Sequence, residues 1–300
     1  MLVKKVSRKK SHGKYVYGCV LGLPREWIGE KVYVLHESEY HAFYDELKRL
    51  RVLKSIFENI ANCKGRKKRM FSVVTETWNP ITGCFHGCRY CWAMSRARRL
   101  KRIDRYRNGF VPNLNEKELS KRFNGGLVFV SDMGDMWGEW VLSDWIRRVL
   151  DHIRKYPDTL FLFMTKNPAR YYEFIDEMPE NTILGATIET NRDDMYLEKN
   201  ISKAPLPSRR YHSMKDLDWD KKFISIEPIL DFDLDIFVDW IKDIKPFMVY
   251  VGYDNYNNKL PEPPLRKTEE LIKTLSNFTA IVKKTLRPAW FEGLGRYLEK

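Results

Sequence analysis

The sequence predicts an α/β fold that is preceded by a small module of a β-hairpin and a helix. From residue 71 onward, short apolar segments of strand length alternate with segments of helical periodicity, which is the pattern of βα units and a parallel sheet. Before that point, two strand-like segments precede one long apolar stripe at helical spacing. We therefore expect a basic N-terminal module and linker over residues 1–69, and one large domain over residues 70–300.

The N-terminal module begins with residues 14–22 and 31–36, which are rich in Val and Tyr and predict the two strands of a hairpin. From residue 39 the apolar residues fall at helical spacing. This stripe consists of Phe43, Leu47, Leu50, Leu53, Phe57 and Ile60. The basic run at residues 64–69 is interpreted as the linker to the next domain.

The turn between the two predicted strands carries the string Leu-Pro-Arg-Glu-Trp-Ile-Gly at residues 23–29. This string with its flanking strands is similar to small archaeal transposon-encoded proteins and to AbrB-type β modules, and the second resemblance implies DNA binding. The alternative is that the hairpin and helix cap the main domain.

The main domain contains six segments that predict strands of a parallel sheet, and a further one near the end. They are residues 71–77, 127–131, 159–165, 183–188, 222–226 and 248–252, followed by 281–284. Helices are expected over residues 93–106 and 143–155, and a third begins at Pro168, because proline suits the first turn of a helix. Polar residues collect where these strands end, at positions that share one edge of a parallel sheet.

The loop after the first strand contains three cysteines, Cys84, Cys88 and Cys91, at the spacing C-x3-C-x2-C. Three thiolates on a short loop can hold three corners of a four-iron, four-sulfur cluster and leave the fourth iron open, whereas electron-transfer clusters use four cysteines. A zinc site that adds His86 or a remote ligand is the alternative. A disulfide is not expected, because the five cysteines are odd in number and no signal peptide precedes them.

This spacing, with Tyr90 directly before the last cysteine, resembles the signature of the radical S-adenosylmethionine enzymes. The strings at the strand ends, over residues 71–285, resemble a phage-associated radical-SAM-like family of undefined function that is related to the spore photoproduct lyases. The resemblance implies a partial (β/α)6 TIM-like barrel with a [4Fe-4S] cluster and S-adenosyl-L-methionine. It also implies a 5′-deoxyadenosyl radical and a reducing electron donor protein as partner.

The resemblance further implies roles for residues at the first strand ends. Tyr90 would lie near the adenine, and Asp132 and Asp135 would bind the methionine ammonium through charge-assisted hydrogen bonds. Lys166 would pair with the methionine carboxylate. Asp132 stands where the family usually has serine. For each of these residues a structural ion pair at the barrel rim is the alternative.

Residues at the later strand ends complete the implied site. Thr187, Glu189 and Glu227 would hydrogen-bond to ribose hydroxyls, and a structural role at the barrel rim is again the alternative. Tyr253 and Tyr256 would relay a hydrogen atom to a product radical, with aromatic packing or base stacking as the alternative. The sequence Gly252-Tyr253-Asp254 replaces the family's usual Gly-Gly-Glu, and no cysteine follows Cys91, which argues against a thiol donor from the later strands.

Positive charge is concentrated near the N-terminus. Residues 1–70 carry a net charge of +10, against +3 for residues 71–300. Residues 89–107 contain eight Lys or Arg and one acidic residue. Such runs attract phosphate backbones, so a base in DNA or RNA is the expected substrate. A peptide or small-molecule substrate, or a zinc-stapled nucleic-acid-binding protein of a mobile element, are the alternatives. Without an apolar run of membrane-spanning length, we expect a cytoplasmic protein with no membrane partner.

Overall fold

The computed structural model describes residues 74–292, together with the backbone of residues 10–11 and 14–15. Two short strands, β1 (Lys10–Ser11) and β2 (Lys14–Tyr15), pair in antiparallel fashion, with Lys10 opposite Tyr15. Of the hairpin predicted over residues 14–22 and 31–36, only residues 14–15 are described, and they pair with residues 10–11, which were not predicted as a strand. The remaining residues of the predicted hairpin and the apolar helical stripe lie outside the described residues. The chain divides into two compact units, Met1–Leu47 and Lys48–Lys300, and the domain boundary at residue 69 stays a prediction.

Seven parallel strands form the main sheet, and they follow one another across it in chain order. They are β3 (Glu76–Trp78), β6 (Leu127–Val130), β7 (Leu160–Thr165), β8 (Thr182–Thr187), β9 (Lys222–Ile226), β10 (Met248–Val251) and β11 (Ala280–Lys283). The sheet curls into a half-barrel, which confirms the predicted α/β partial barrel. A separate antiparallel pair joins β4 (Ile81–Thr82) to β5 (Asn113–Leu114).

Helices connect the parallel strands. They are α1 (Trp92–Arg99), α2 (Ser143–Arg154), α3 (Asp193–Glu198), α4 (Pro207–Asp216), α5 (Leu234–Ile244) and α6 (Leu265–Leu275), with 3-10 helices at Asp104–Tyr106, Glu116–Ser120 and Pro168–Glu177. In residues 74–292 none of these helices is long and apolar enough to cross a membrane.

Two helix predictions were wrong in part. The helix expected over residues 93–106 ends at Arg99, with Leu100 as its C-cap, and only Asp104–Tyr106 of the remainder is helical, as a 3-10 helix. The segment that begins at Pro168 is a 3-10 helix rather than an α-helix.

Both faces of the sheet are covered, so its central strands are buried along their whole length. Alternate strand residues, such as Phe161 and Phe163, pack against helix residues such as Ile146 and Ile241 in the larger core cluster. The residues between them, such as Leu162, form a second cluster. The residues within the strands are mostly apolar. Polar residues therefore lie where the strands end, along the carboxyl edge of the sheet.

Candidate metal centre at the carboxyl edge of the sheet

The cysteine loop, residues 84–91, follows β4 and leads into α1. Its three cysteines are free thiols, Cys88 buried and the other two partly buried. Cys91 is the N-cap of α1, and its sulfur accepts a hydrogen bond from Met94 N at 3.3 Å. The sulfur of Cys84 accepts one from His86 N at 3.4 Å. Backbone N–H groups and a helix N-terminus both favour the thiolate form.

Two glycines fix the start of the loop. Gly83 N donates to Met133 O at 3.0 Å, and Asp135 N donates to Gly83 O at 3.3 Å. Gly83 has a φ of +89°, and a Cβ there would lie 2.3 Å from Val111 O. A Cβ on Gly134 would approach Gly83 O to 2.8 Å. The close pairing of these backbones therefore requires glycine at both positions.

The middle of the loop is clamped to residues 201–203, a segment more than 110 positions away in the chain. Arg89 N donates to Ile201 O at 3.0 Å, and Lys203 N donates to His86 O at 2.7 Å. Ser202 Oγ donates to His86 O as well and lies 3.1 Å from the sulfur of Cys88. The sequence held no local signal for this clamp.

Two of the thiols, Cys84 and Cys88, occupy an environment that disfavours their ionisation in the absence of a cation. Burial raises the pKa of Cys84, with a further contribution from the nearby Asp135 carboxylate. Burial also raises the pKa of Cys88, while Lys166 opposes that shift. A bound metal deprotonates a coordinating thiol and removes this cost, so the loop suits a metal group.

Within residues 74–292, no three His, Cys, Asp or Glu side chains are gathered closely enough to hold a single metal ion. In an iron–sulfur cluster each cysteine binds a different iron, so the thiolates do not converge on one point. Three thiols on one short loop, with N–H groups directed at two of the sulfurs, are a donor set that fits such a cluster.

A buried ion network lies beside Cys88. Glu189 is fully buried, and its Oε2 accepts a hydrogen bond from Arg210 Nη1 at 2.6 Å. Its Oε1 accepts one from the hydroxyl of Tyr90 and lies 3.6 Å from Lys166 Nζ. Burial would raise the pKa of Glu189, but Arg210, Lys166 and the Tyr90 hydroxyl outweigh it and lower the pKa below its ordinary value. The network brings together three of the predicted site residues, Tyr90, Lys166 and Glu189.

Arg210 is a site residue that the sequence reasoning missed. It projects from α4, is fully buried, and donates to Thr187 O at 2.6 Å and to Pro205 O at 2.8 Å. Its Nη2 has no hydrogen-bond partner in the described part of the chain. The spacing held a signal for its burial but not for its partner, since Arg210 precedes Tyr211 and lies four positions before Met214, both of which are buried on α4.

Asp135 is buried and accepts hydrogen bonds from four groups. The donors are His86 Nε2 at 2.9 Å, Thr165 Oγ1 at 2.8 Å, and the backbone N–H groups of Lys166 and Trp137, each at 3.0 Å. Burial would raise the pKa of Asp135, but the hydrogen bond and charge of His86, with the other donors, lower it. These donors occupy the four lone-pair positions of the carboxylate.

Asp132 differs from Asp135 although only two residues separate them. It is partly buried, and its Oδ1 accepts a hydrogen bond from Asn79 Nδ2 at 2.6 Å. Burial raises the pKa of Asp132, and the bond from Asn79 and the charge of Arg96 offset this only in part.

Glu227 and Thr187 stand at the ends of β9 and β8. Glu227 Oε1 lies 3.0 Å from Lys284 Nζ, while its Oε2 is buried with no hydrogen-bond partner among residues 74–292. Burial raises the pKa of Glu227, against the opposing effect of Lys284. Thr187 is buried, and its carbonyl accepts from Arg210.

The two predicted relay tyrosines lie in different surroundings. Tyr253 is 1% exposed, and its hydroxyl bonds Pro263 O at 3.0 Å and Thr268 Oγ1 at 2.7 Å. Burial raises the pKa of Tyr253 to about 12. Tyr256 is 61% exposed. The packing of Tyr253 matches the structural alternative given for it, and the relay role of both residues stays a prediction.

A family model described as a protein of unknown function, DUF5131, matches residues 69–242. No curated protein sequence matches the chain. Among solved structures, the chain is similar to a mutant spore photoproduct lyase with bound AdoMet and dinucleoside spore photoproduct, at 10% identity and a TM-score of 0.45, over 67% of this chain and 61% of that one. It is also similar to Streptococcus suis SuiB bound to precursor peptide SuiA, at 13% identity and a TM-score of 0.44, over 91% and 61%. The chain thus spans about three fifths of the length of these structures.

Proposed function

The chain belongs to the family of proteins of unknown function DUF5131, and on this premise and the site above we propose that it is a radical S-adenosylmethionine enzyme. The observation that carries the proposal is the loop of three free thiols at the carboxyl edge of a half-barrel, with Cys88 beside the ion network of Lys166 and Glu189. The association with phages stays a prediction.

Cys84, Cys88 and Cys91 would hold a [4Fe-4S] cluster. When bound, such a cluster supplies an open iron for the methionine part of S-adenosylmethionine and the electron that releases a 5′-deoxyadenosyl radical. The chain's own contribution is to hold the loop rigid, through Gly83 and the clamp at residues 201–203, and to provide charges that orient the cofactor.

Lys166 is suited to the methionine carboxylate because its bond to Glu189 is loose. The distance between Lys166 Nζ and Glu189 Oε1 is 3.6 Å, whereas Arg210 holds the other oxygen of Glu189 at 2.6 Å. Arg210 would therefore still balance the negative charge of Glu189 when the ammonium of Lys166 binds a ligand. The ring of Tyr90, 5.3 Å from Lys166 Nζ, would limit where that ammonium can move.

Of the two candidate carboxylates for the methionine ammonium, we assign Asp132. Asp135 already accepts from four groups, whereas Asp132 accepts from Asn79 and retains lone pairs for a charged donor. For ribose hydroxyls, two groups are better suited than Glu189, whose oxygens already have partners. They are Oε2 of Glu227, which has no hydrogen-bond partner among residues 74–292, and the side chain of Thr187.

For the substrate we propose a base in DNA or RNA. The support is the basic surface that begins at the cysteine loop, where α1 follows Cys91 directly. Its exposed cations are Arg96, Arg98, Arg99, Lys101 and Arg102. Together with the net charge of +10 in residues 1–70, this surface would attract a phosphate backbone.

The test is anaerobic purification with metal analysis, followed by reduction with dithionite in the presence of S-adenosylmethionine. We expect four irons per chain and release of 5′-deoxyadenosine, both lost in Cys88→Ala and both retained in Cys63→Ser, a cysteine outside the loop. Stoichiometric zinc without deoxyadenosine would instead identify the zinc-stapled binding protein.

The substrate is tested by salt-dependent binding to duplex DNA, single strands and tRNA. The variant Arg96→Gln/Arg98→Gln/Arg99→Gln should bind more weakly and with a smaller salt slope. Unchanged binding, or turnover of a peptide with no affinity for nucleic acid, would contradict the assignment.

A further inference from the structure

The three sulfurs of the cysteine loop do not have the same kind of hydrogen-bond partner. The sulfurs of Cys84 and Cys91 each accept a hydrogen bond from a backbone N–H group of the loop or of α1. Among residues 74–292, the partner of the Cys88 sulfur is instead a side chain, the hydroxyl of Ser202 at 3.1 Å. A substitution can therefore remove the partner of Cys88 and leave the backbone intact.

Ser202 lies in a segment that is fixed on both sides. Ile201, directly before it, is fully buried in a cluster of apolar side chains, and its carbonyl accepts from Arg89 N at 3.0 Å. On the other side, Ala204 N donates to Ser202 Oγ at 3.1 Å. Asn200 has a φ of +47°, which asparagine tolerates better than most residues, and so turns the chain shortly after α3. These contacts hold the hydroxyl beside the sulfur.

The hydroxyl of Ser202 has one proton and two lone pairs. One lone pair accepts from Ala204 N. The proton can reach two acceptors, His86 O and the Cys88 sulfur, each 3.1 Å from the hydroxyl oxygen. His86 O has a second donor, because Lys203 N lies 2.7 Å from it. The proton can therefore turn to the sulfur without leaving His86 O unpaired.

The direction of this hydrogen bond depends on the form of the cysteine. A Cys88 thiol has its own proton, which can be donated to Ser202 Oγ. A thiolate bound to iron has no proton, so the hydroxyl becomes the donor. Hydrogen bonds to a charged acceptor are the stronger kind, which favours this orientation whenever a metal group is bound.

We propose that Ser202, acting through the sulfur of Cys88, raises the reduction potential of the cluster that the loop would hold. The inference rests on the proposed function. One electron taken up from a reductant adds one negative charge, which the sulfurs share. A hydroxyl proton directed at a sulfur stabilises that charge, so it favours the reduced state over the oxidised one. The electron is the only particle transferred, and no bond to the protein forms or breaks.

This role would connect two distant parts of the chain. Ser202 lies between α3 and α4, whereas the cysteines precede α1. The clamp would then do more than hold the loop, since its backbone bonds fix the geometry and its one hydroxyl adjusts the electronic property of the group.

The test compares substitutions at Ser202 that separate the hydroxyl from the shape of the side chain. Ser202→Thr retains the hydroxyl, Ser202→Val has nearly the same shape without it, and Ser202→Ala removes it without adding volume. Thr182→Val is the control at a distance. Thr182 is fully buried, its hydroxyl donates to Pro179 O at 2.7 Å, and it begins β8, at the edge of the sheet opposite the cysteine loop.

Each protein is reconstituted as the full chain, and its iron content and urea unfolding are recorded first. Reduction of the cluster is then followed by electron paramagnetic resonance in a dithionite titration without S-adenosylmethionine. At a fixed potential, Ser202→Ala and Ser202→Val should show a ratio of reduced to oxidised cluster about three to ten times lower than the wild type, where tenfold is 59 mV for a one-electron couple. Ser202→Thr and Thr182→Val should titrate as the wild type does.

Equal potentials in Ser202→Thr and Ser202→Val would overturn the inference. An equal shift in Thr182→Val would also overturn it, because loss of stability rather than of a donor would then explain the change. Loss of iron from both variants without the hydroxyl, with iron retained in Ser202→Thr, would show a role in cluster assembly in place of the proposed one. A wild type that binds no four-iron cluster would overturn the proposed function itself, and that outcome is recognised before any variant is compared.

Discussion

The cysteine loop and the late strand ends, which we define as the residues following β9 and β10, occupy the same edge of the sheet but are built differently. Asp135 beside the loop accepts from four groups, while Glu227 at the late strand ends leaves one buried oxygen without a partner in the described chain. The loop is held by a segment more than 110 positions away, whereas the carboxylate of Asp254 accepts from its near neighbours Tyr256 and Asn258. The difference indicates a preorganised cysteine loop and a strand edge that carries a buried polar atom with no hydrogen-bond partner among residues 74–292.

The largest expected effect comes from the buried network beside the loop. Arg210→Met would leave Glu189 buried with only a loose cation, and breaking a buried pair in this way costs about 3–5 kcal/mol of unfolding free energy. Arg147→Met, the same change at a half-exposed pair with Glu177, should cost no more than about 1 kcal/mol. Urea unfolding of both variants measures the difference. Equal losses would show that the buried network beside the cysteine loop contributes no more to stability than an exposed ion pair.

The next effect concerns the rigidity of the loop. Gly83→Ala adds a Cβ that meets Val111 O, so we expect a loss of more than about 2 kcal/mol and reduced iron content. Gly109→Ala is the matched control, because Gly109 also has a positive φ, +83°, but no atom lies within 4 Å of its Cβ position. That control should lose about 1 kcal/mol and keep its iron. Normal iron binding in Gly83→Ala would contradict the account of the loop.

A smaller effect separates the two tyrosines at the late strand ends. Tyr253→Phe removes the bonds to Pro263 and Thr268 and should cost about 1 kcal/mol, whereas Tyr256→Phe should leave unfolding unchanged. Deuterium incorporation into product checks the relay prediction separately. If only Tyr256→Phe alters it, the relay role belongs to the exposed residue.

The smallest effects are pH-dependent and opposite in sign. The pKa of Asp135 is lowered in the fold, so its ionised form stabilises above the unfolded pKa of about 4, and that stability is lost as the pH falls below it. The pKa of Glu227 is raised, so its contribution falls as the pH rises from its unfolded value to its folded value.

Unfolding free energies between pH 3 and pH 7 test both signs. Asp135→Asn should reduce the loss of unfolding free energy that the unchanged protein shows as the pH falls from 4 to 3. Glu227→Gln should raise the unfolding free energy at pH 7 more than it raises that at pH 4, each compared with the unchanged protein. If both substitutions changed the pH dependence of the unfolding free energy in the same direction, the distinction would be contradicted. That distinction is between Asp135, which accepts four hydrogen bonds, and Glu227, which has an oxygen without a partner in the described chain.

The strands were predictable because each is a short apolar run buried on both faces. Residues 127–131, 159–165 and 222–226 agree with β6, β7 and β9 to within one residue. Of the predicted first strand, residues 74–77 are described, and β3 covers Glu76–Trp78. The three cysteines lie on a loop after the first strand, as their spacing and flanking residues predicted, and their role as cluster ligands stays a prediction.

What the sequence could not provide depends on contacts between distant residues. Two of the hydrogen bonds in the clamp at residues 201–203 join backbone groups, which leave no trace in side-chain identity. Arg210 meets Glu189 only because α4 packs against the end of β8. The pKa is raised for Asp132 and lowered for Asp135 because their hydrogen-bond partners differ. Residue identity does not reveal these partners, so the sequence predicts one role for both.

The most direct test is Mössbauer spectroscopy of iron-57-reconstituted protein, with and without S-adenosylmethionine. The account predicts a four-iron cluster in which one iron changes its signal when the cofactor is added, since three cysteines leave that iron open. Four irons that remain equivalent in the presence of the cofactor, or a protein that retains zinc and no iron, would contradict it.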